Sequence, residues 1–576
     1  MDMSIAIAQL AVKPGAPAEN TEKMLSLIGQ AKEAGAEMIV FPELSISGRF
    51  LDYKLKNRAF LRECRESGYR IAAQCHGITV IFGNLDLRED QFYNTVFMAK
   101  DGELRPLSAP MGDSYIAGGY DMFAPNRSSH VYEMTFDGQP CRVGFLLGDW
   151  RKRVFPYKSN DVDLVIDITN RPFRPDHPIL PARLPRPFIS VNSFSLQNSG
   201  KAYYLFGGGS FFRDGQDILR ARGDYLQEGL FIWNRAGGDI STALTGDHLL
   251  GELLVSGVHE FMKSIGCGKA VIGISGGIDS ALAACIYSKA LGPQNVYLIS
   301  MPSRFNSNET KSLAEGMAKG LGTNFAVMPI QKGVDDLLDS FAQTPVVSAD
   351  GQSRILDFPD SVKENIQARD RCRILAAVAA SVGGVFTCNG NKAELSVGYA
   401  TFYGDLAGAF AAQADLWKHQ VYRASSYFQT LYPEAPLKEI AAIRPSAELS
   451  EKHDVTKGLG DPLIYAYHDY LLAYWVERNA DIYHALFHYE QGDLESVLGC
   501  EPGLCRRHFP TAAAFIEDLE RWWRLYQGTA IAKRIQAPPL LALSARPFGE
   551  EHPESQGAVY YSKAYRNLKA RMLGSW

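Results

Sequence analysis

The chain has 576 residues, more than one hydrophobic core usually supports, so two or more domains are expected. Its residues are 46% hydrophobic and 21% charged with a formal charge of −5, which excludes a disordered or low-complexity chain and, with no dense Lys/Arg block, a nucleic-acid or anionic-membrane footprint. The nine cysteines lack paired CxxC spacing, Asp2 stands where a secretion signal wants a basic residue, and no stretch reads as a membrane span, so a cytoplasmic protein without a zinc site or disulfides is expected.

Over the first 235 or so residues, short β-like runs alternate with turn clusters: SIAIAQLAV, AEMIVF, ITVIFGNLDL, CRVGFLL, DLVIDIT, PFISVNSF and AYYLFGGGSFF. Apolar residues at three- and four-residue steps predict helices over Ala18 to Ala34 and Arg58 to Cys75, giving a layered α/β domain. The Gly-containing stretch Arg235 to Asp247, followed by an amphipathic helix near His248 to Ser264, predicts the boundary. From Lys269 the order is strand, Gly-rich turn, helix, strand: AVIGI, SGGIDS, ALAACIYSKAL, VYLISMP. Such units build a parallel sheet with ligands at the carboxyl ends of its strands. After about Asn479 helix formers and aromatics dominate, and the turn-rich piece Ala537 to Ser555 carries no chemistry readable from composition.

Ser275, Gly276, Gly277, Ile278, Asp279 and Ser280 follow a buried-strand run and open a helix, so their N–H groups converge where the helix dipole favours an anion. Glycine lets the backbone approach phosphate closely, Ser275 and Ser280 add hydroxyl donors, and Asp279 is placed to hold Mg²⁺ against the pyrophosphate. The GxxxxGK[ST] spacing of a Walker A loop is absent. Taken alone, the glycines equally suit a plain strand-to-helix turn capped by Ser and Asp.

The full hexapeptide in this context resembles the pyrophosphate loop of the ATP pyrophosphatase superfamily, which includes NAD, GMP and asparagine synthetases. ENIQARDRCR at 364–373, NGNKAELSVGYATFYGD at 389–405, ADLWKHQVY ending at Tyr422, PSAEL at 445–449 and KRIQAPPL at 533–540 resemble NAD synthetase in order and spacing. The likeness spans the second domain, 246–576. A GMP- or asparagine-forming enzyme shares the loop but not the ENIQAR and NGNKAELSVGY segments.

The resemblance implies an adenine nucleotide alpha hydrolase-like fold and ATP bound by Gly273, Ile274, Ser275, Gly276, Gly277, Ile278, Asp279 and Ser280, with Asn389, Lys418 and Ser446 against it. It implies Mg²⁺ on Asp279 and Glu394, catalysis by Asp279, Glu394 and Lys418, and deamido-NAD held by Arg369, Glu394, Asp405 and Lys533. Asn389 and Ser446 stand where relatives usually carry Thr, so altered hydrogen bonds are expected. The implied reaction adenylates the nicotinate carboxylate of deamido-NAD, releases pyrophosphate, and lets ammonia displace AMP. No side chain identifies itself as the proton acceptor. The family also implies a homo-oligomer.

MSIAIAQL, AEMIVFPELSISGRF and VNSFSLQNSGKAYYLFGGGSF resemble the carbon–nitrogen hydrolase (nitrilase) family across residues 1–240, implying an α-β-β-α sandwich that releases ammonia from glutamine in two-domain relatives. That chemistry needs a Cys nucleophile, a Glu base and a Lys for the oxyanion. Glu43 matches the base, but Leu147 occupies the cysteine's place, and no Lys occurs between Lys100 and Lys152. Cys141 lies six residues away, roughly 20 Å along an extended strand. The first domain is therefore expected to be a degenerate glutaminase, with Glu43 a retained structural carboxylate and ammonia, free or from a separate donor, replacing glutamine. The alternatives are a glutamine-dependent enzyme with a relocated nucleophile such as Cys64 or Cys75, and a non-catalytic nucleotide-binding regulator; an amidase acting through the first domain is opposed by Leu147.

Overall fold

The computed structural model describes residues 4–88, 91–107, 130–136, 138–148, 157, 161–174, 187–234, 237–238, 240–242, 244–446, 448–450, 460–549, 552 and 554–574. Two compact units result, Met1–Gly246 and Asp247–Trp576.

In the first unit, β1 (Ile5–Gln9) is buried along its whole length. Successive side chains of a strand point to opposite faces, so this one serves two cores. Ile5 and Ile7 join Val143, Phe145, Leu147, Leu164 and Ile166 between two sheets. Ala6 and Ala8 join Met24, Ile28, Cys64 and Ile71 beneath two helices, α1 (Pro17–Glu33) and α2 (Arg58–Ala73). Small residues face the helices and large ones face the other sheet. The remaining strands are β2 (Met38–Val40), β3 (Thr79–Arg88), β4 (Gln91–Lys100), β5 (Glu103–Leu107), β6 (Val131–Phe136), β7 (Gln139–Leu147), β8 (Leu164–Ile168), β9 (Phe188–Val191), the hairpin β10 (Phe194–Ser199) and β11 (Ala202–Gly207), β12 (Phe211–Arg213), β13 (Leu219–Arg222), β14 (Gly229–Asn234) and β15 (Gly237–Gly238).

The two sheets run β15-β14-β1-β2-β3-β4-β5 and β13-β12-β9-β8-β7-β6. At their centres β1, β2 and β3 are parallel, as are β7, β8 and β9. Of the α-β-β-α sandwich, the first three layers are present. The outer face of the second sheet buries Leu146, Val165, Phe188 and Phe211 with Tyr157 and Val162, and among the described residues no helix stands on it.

The second unit opens with α3 (Gly246–Ser264) and then β16 (Ala270–Gly273), α4 (Ile278–Leu291), β17 (Val296–Ser300), α5 (Asn308–Leu321), β18 (Asn324–Val327), α6 (Gln331–Gln343), a short hairpin β19 (Val346–Val347) and β20 (Ser353–Arg354), α7 (Asp360–Val382) and β21 (Val385–Phe386). The main sheet is wholly parallel, in the order β18-β17-β16-β21. The strand order reverses at β16, with β17 on one side and β21 on the other, and such a switch point opens a crevice beyond the carboxyl ends of the strands. Helix α4 is buried almost all round, as its run Ala-Leu-Ala-Ala-Cys-Ile requires. Leu375 and Ala379 of α7 pack with Val271 and Ile299 of the sheet. Two further helices, α8 (Lys392–Val397) and α9 (Lys418–Leu431), carry site residues. Among the described residues no helix is long and apolar enough to cross a membrane.

Candidate active site

The turn from β16 to α4 forms one wall of a cavity of about 320 Å³. Its tightness is set by Gly276, which has φ +86 and whose Cβ, if present, would lie 2.3 Å from the carbonyl oxygen of Thr310. Only glycine fits that place. The turn is knitted from within: the Ser275 N–H donates to Ser280 Oγ at 3.2 Å, the Gly277 N–H to Ser275 Oγ at 3.2 Å, and Ser280 Oγ to the Gly277 carbonyl at 3.0 Å. No side chain caps α4, so its first-turn N–H groups remain as donors where the helix dipole is positive.

Opposite the turn, α8 begins with a capping box. Asn391 Oδ1 accepts the Glu394 N–H at 3.1 Å, and Glu394 Oε2 accepts the Asn391 N–H at 3.2 Å. Asn391 also donates from Nδ2 to Asp279 Oδ1 at 3.1 Å, which locks α8 to the start of α4. Lys418, the first residue of α9, is buried and forms a close ion pair with Asp279; its Nζ stands 3.9 Å from Glu394 Oε1. Burial opposes the Lys418 charge, but Asp279 and Glu394 outweigh it and hold its pKa above the ordinary value. Burial and the neighbouring Asp279 push the Glu394 carboxyl well above the usual carboxylate range. Asp461, which the sequence reading had not singled out, lines the same cavity, raised in pKa by burial and bonded by the hydroxyls of Tyr399 and Tyr465, each at 3.2 Å. Two carboxyl groups thus reach one ammonium and a third lines the same cavity, so a bound cation would favour their charged forms.

Asn389 holds strand ends together, donating to the Gly273 carbonyl at 3.3 Å and accepting from Thr387 Oγ1 at 2.8 Å. Ser446 Oγ accepts the Glu448 N–H at 3.2 Å. Asp405 Oδ1 accepts the Thr401 N–H at 2.6 Å, and burial raises its pKa. Gly273 to Ser280, Asn389, Glu394, Asp405, Lys418 and Ser446 all line the one cavity. Arg369 and Lys533 do not. They hold its rim instead: Arg369 Nε donates to the Phe402 carbonyl at 3.1 Å, and Lys533 Nζ to the carbonyls of Gly398, at 2.7 Å, and Ala400. Arg371 was also missed. Two residues beyond Arg369, it lines the cavity, and burial lowers its pKa to about 10.

In the first unit, Leu147 ends β7 opposite Ile168 and is fully buried between the sheets. Two residues beyond Ile168, the Asn170 N–H donates to Glu43 Oε2 at 2.8 Å, while Asn94 Nδ2 donates to Glu43 Oε1. Cys64 and Cys75 lie in the other core, under the helices, and burial pushes both thiols up to about 12. Burial likewise pushes Cys141 up to about 11. Positions 108–129, 137 and 149–151 of the stretch lacking a lysine lie outside the described residues.

A parallel sheet with an uncapped Gly-rich turn at its switch point and a carboxylate–lysine cluster facing that turn defines a nucleotide-binding α/β enzyme domain. Residues 251–491 match the NAD synthase family and residues 4–112 the carbon–nitrogen hydrolase family. The chain thus joins a domain of NAD synthase type to one of carbon–nitrogen hydrolase type. It is similar to the glutamine-dependent NAD(+) synthetase of Synechocystis sp., 29% identical over 496 residues that cover 77% of this chain and 84% of that one. The protein of the same name from Xylella fastidiosa is 29% identical over 469 residues, 78% of this chain and 84% of its own. Among solved structures, the glutamine-dependent NAD+ synthetase of Acinetobacter baumannii in complex with ADP superposes with a TM-score of 0.67 at 24% identity, covering 96% of this chain and 98% of that one. That of Cytophaga hutchinsonii gives 0.75 at 16%, covering 99% and 100%. At these identities the structural likeness speaks for the fold.

Proposed function

We propose that the protein makes NAD by ATP-dependent amidation of deamido-NAD. One observation carries this reading: Asp279, Glu394 and Lys418, from three separate segments, meet in one cavity against the uncapped turn before α4. The N–H groups of that turn bind the ATP phosphates, and Lys418 balances charge there. Asp279 and Glu394 fit Mg²⁺: both reach the same ammonium in the free protein, and two carboxylates completed by phosphate oxygens and water suit this ion. Among the described residues no group of three or more ligands stands ready to cage a metal, which agrees with an ion that arrives with its nucleotide. When bound, the ion supplies positive charge to the polyphosphate.

A carboxylate oxygen of deamido-NAD attacks the α-phosphorus of ATP; the bond to the β-phosphate oxygen breaks and pyrophosphate leaves. Ammonia then attacks the acyl carbon, AMP departs, and the new amide loses one proton. Asp405 and the segment tied down by Arg369 and Lys533 face the dinucleotide, Lys533 with a pKa lowered by burial.

For the nitrogen donor, the names of the relatives weigh toward glutamine more than toward free ammonia. The residues of this chain favour ammonia, because Leu147 offers no nucleophile and the thiols of Cys64 and Cys75 are sequestered on the other face of the first sheet. Purified protein given ATP, Mg²⁺ and deamido-NAD, with ammonium in one arm and ammonia-free glutamine in the other, tests both points. NAD from ammonium alone supports the ammonia reading, equal NAD from glutamine restores the glutamine-dependent one, and none from either overturns the synthetase assignment in favour of a nucleotide-binding regulator.

A further inference from the structure

The segment 445–449 borders the cavity through Pro445, Ser446, Glu448 and Leu449. Glu448 has φ +45, a left-handed conformation that a non-glycine residue keeps only where its surroundings enforce it. What enforces it lies on another element. Glu448 is buried, and its Oε2 accepts from Asn306 Nδ2 at 2.9 Å and from Thr310 Oγ1 at 3.0 Å. Ser307, whose hydroxyl caps α5 by accepting the Thr310 N–H, adds a long N–H contact to Oε1 at 3.5 Å. Asn306 is itself oriented, because its Oδ1 accepts from the Ser303 N–H at 2.8 Å and from Arg371 Nη2 at 3.3 Å, leaving only its N–H₂ to face Glu448.

Two consequences for the nucleotide cavity follow from this carboxylate. On its own segment, the Glu448 N–H holds Ser446 Oγ. On the facing element, it grips Thr310, whose carbonyl oxygen packs against Gly276 at the tightest point of the turn before α4. We infer that Glu448 is a positioning residue for ATP: its carboxylate ties it to the start of α5 while its N–H holds Ser446, fixing Ser446 and backing the Gly276 turn in one clasp. Glu448 itself touches no reacting atom; it sets where two nucleotide-facing pieces stand. The inference rests on the proposal that this cavity takes ATP.

The test is ATP binding to the full chain by calorimetry, with E448A, E448Q and T310V beside the unaltered protein, followed by KM values for ATP and deamido-NAD. Loss of hydrogen bonds to a buried carboxylate predicts that E448A weakens ATP binding by about tenfold or more. E448Q, which keeps the shape but turns an N–H₂ toward donors, falls between, and T310V loses about threefold. The KM for ATP rises in step while that for deamido-NAD stays within about twofold, a split that general loosening of the fold would not give. An E448A protein with unchanged melting temperature and unchanged ATP affinity overturns the inference. Where E448A fails to fold, E448Q and T310V decide, and unaltered ATP affinity in both overturns it. An unaltered protein that binds no ATP overturns the nucleotide reading itself, a result separate from either of these.

Discussion

Lys418 is the residue on which the charge of the site turns, because among the described residues it is the cation paired with Asp279 and Glu394 inside a buried cluster. K418M removes it while keeping the chain length, and leaves two carboxylates facing each other with no compensation. Stranding buried charge in this way costs about 3–5 kcal/mol, and removing a phosphate-facing cation lowers turnover by about a hundredfold or more. Steady-state NAD formation and thermal melting check the two effects; a variant with unchanged kcat would remove Lys418 from the mechanism. His552 supplies a second test at this scale. Burial first, then Arg534 and Arg546, hold its pKa down at about 4, and its Nε2 pairs with Tyr526 Oη at 2.7 Å. The ordinary histidine value is 6.5. Between the two values the unfolded chain binds the proton and the folded one does not, so the stability due to this group is complete above pH 6.5 and is lost as pH falls toward 4. The loss reaches up to about 3 kcal/mol. The buried acids Glu394, Asp405 and Asp461, raised in pKa, act in the opposite sense, so the quantity to measure is the difference in unfolding free energy between the protein and H552Q from pH 7 to 4.5. That difference shrinks with falling pH if His552 is buried neutral.

At the scale of elements, the turn from β16 to α4 works because it is short, left-handed at one residue and pressed against α5. G276A asks an alanine to hold φ +86 with its Cβ 2.3 Å from a backbone oxygen. The conformation alone costs roughly 1–3 kcal/mol, and relieving the clash must separate the turn from Thr310. The expected result is a folded protein with a lowered melting temperature and no measurable ATP binding; normal binding would mean that the turn is looser than its geometry indicates. This turn was the most legible feature in the sequence, because its conformation and its chemistry are both local: strand, glycines and helix lie within a dozen residues. The capping box at Asn391 and Glu394 was legible in principle, since Asn-x-x-Glu before a helix is its pattern, yet its second task, the bond from Asn391 to Asp279, joins residues 112 positions apart and has no local signature. Glu448, Arg371 and Asp461 were missed for the same reason: the first two lie within segments already noted and Asp461 in none, but what makes each part of the site is the element it meets in the fold. Arg369 and Lys533 show the converse. The resemblance implies contact with the dinucleotide for both, and the fold adds a task with no local signature, fastening the carbonyls of Gly398, Ala400 and Phe402.

At the scale of the whole molecule, the open matter is whether two domains of such different preservation perform one reaction or two. In the second unit every part of the cluster is present and mutually oriented. In the first, the scaffold persists, with both sheets, the helical layer and a buried Glu43, while the position expected to carry the nucleophile has become part of the apolar core. A glutaminase needs a thiolate, a base free to take its proton and a cation for the oxyanion, and losing any one of three groups that act together forfeits most of the rate. Glu43 is already committed at both oxygens, to Asn94 and to the Asn170 N–H. L147C would therefore install sulfur at a strand end paired with Ile168, two residues short of the Asn170 whose N–H engages the candidate base, inside a core whose burial raises thiol pKa values, as it does for Cys141 on the same strand. The expected outcome is that neither the unaltered protein nor L147C releases glutamate from glutamine above the uncatalysed rate, and that both make NAD equally well from ammonium. Glutamate release by the unaltered protein would show that the first domain hydrolyses glutamine by a group other than residue 147. Release by L147C alone would show that Glu43 can leave its partners, and that the loss of one side chain separated this chain from its glutamine-using relatives.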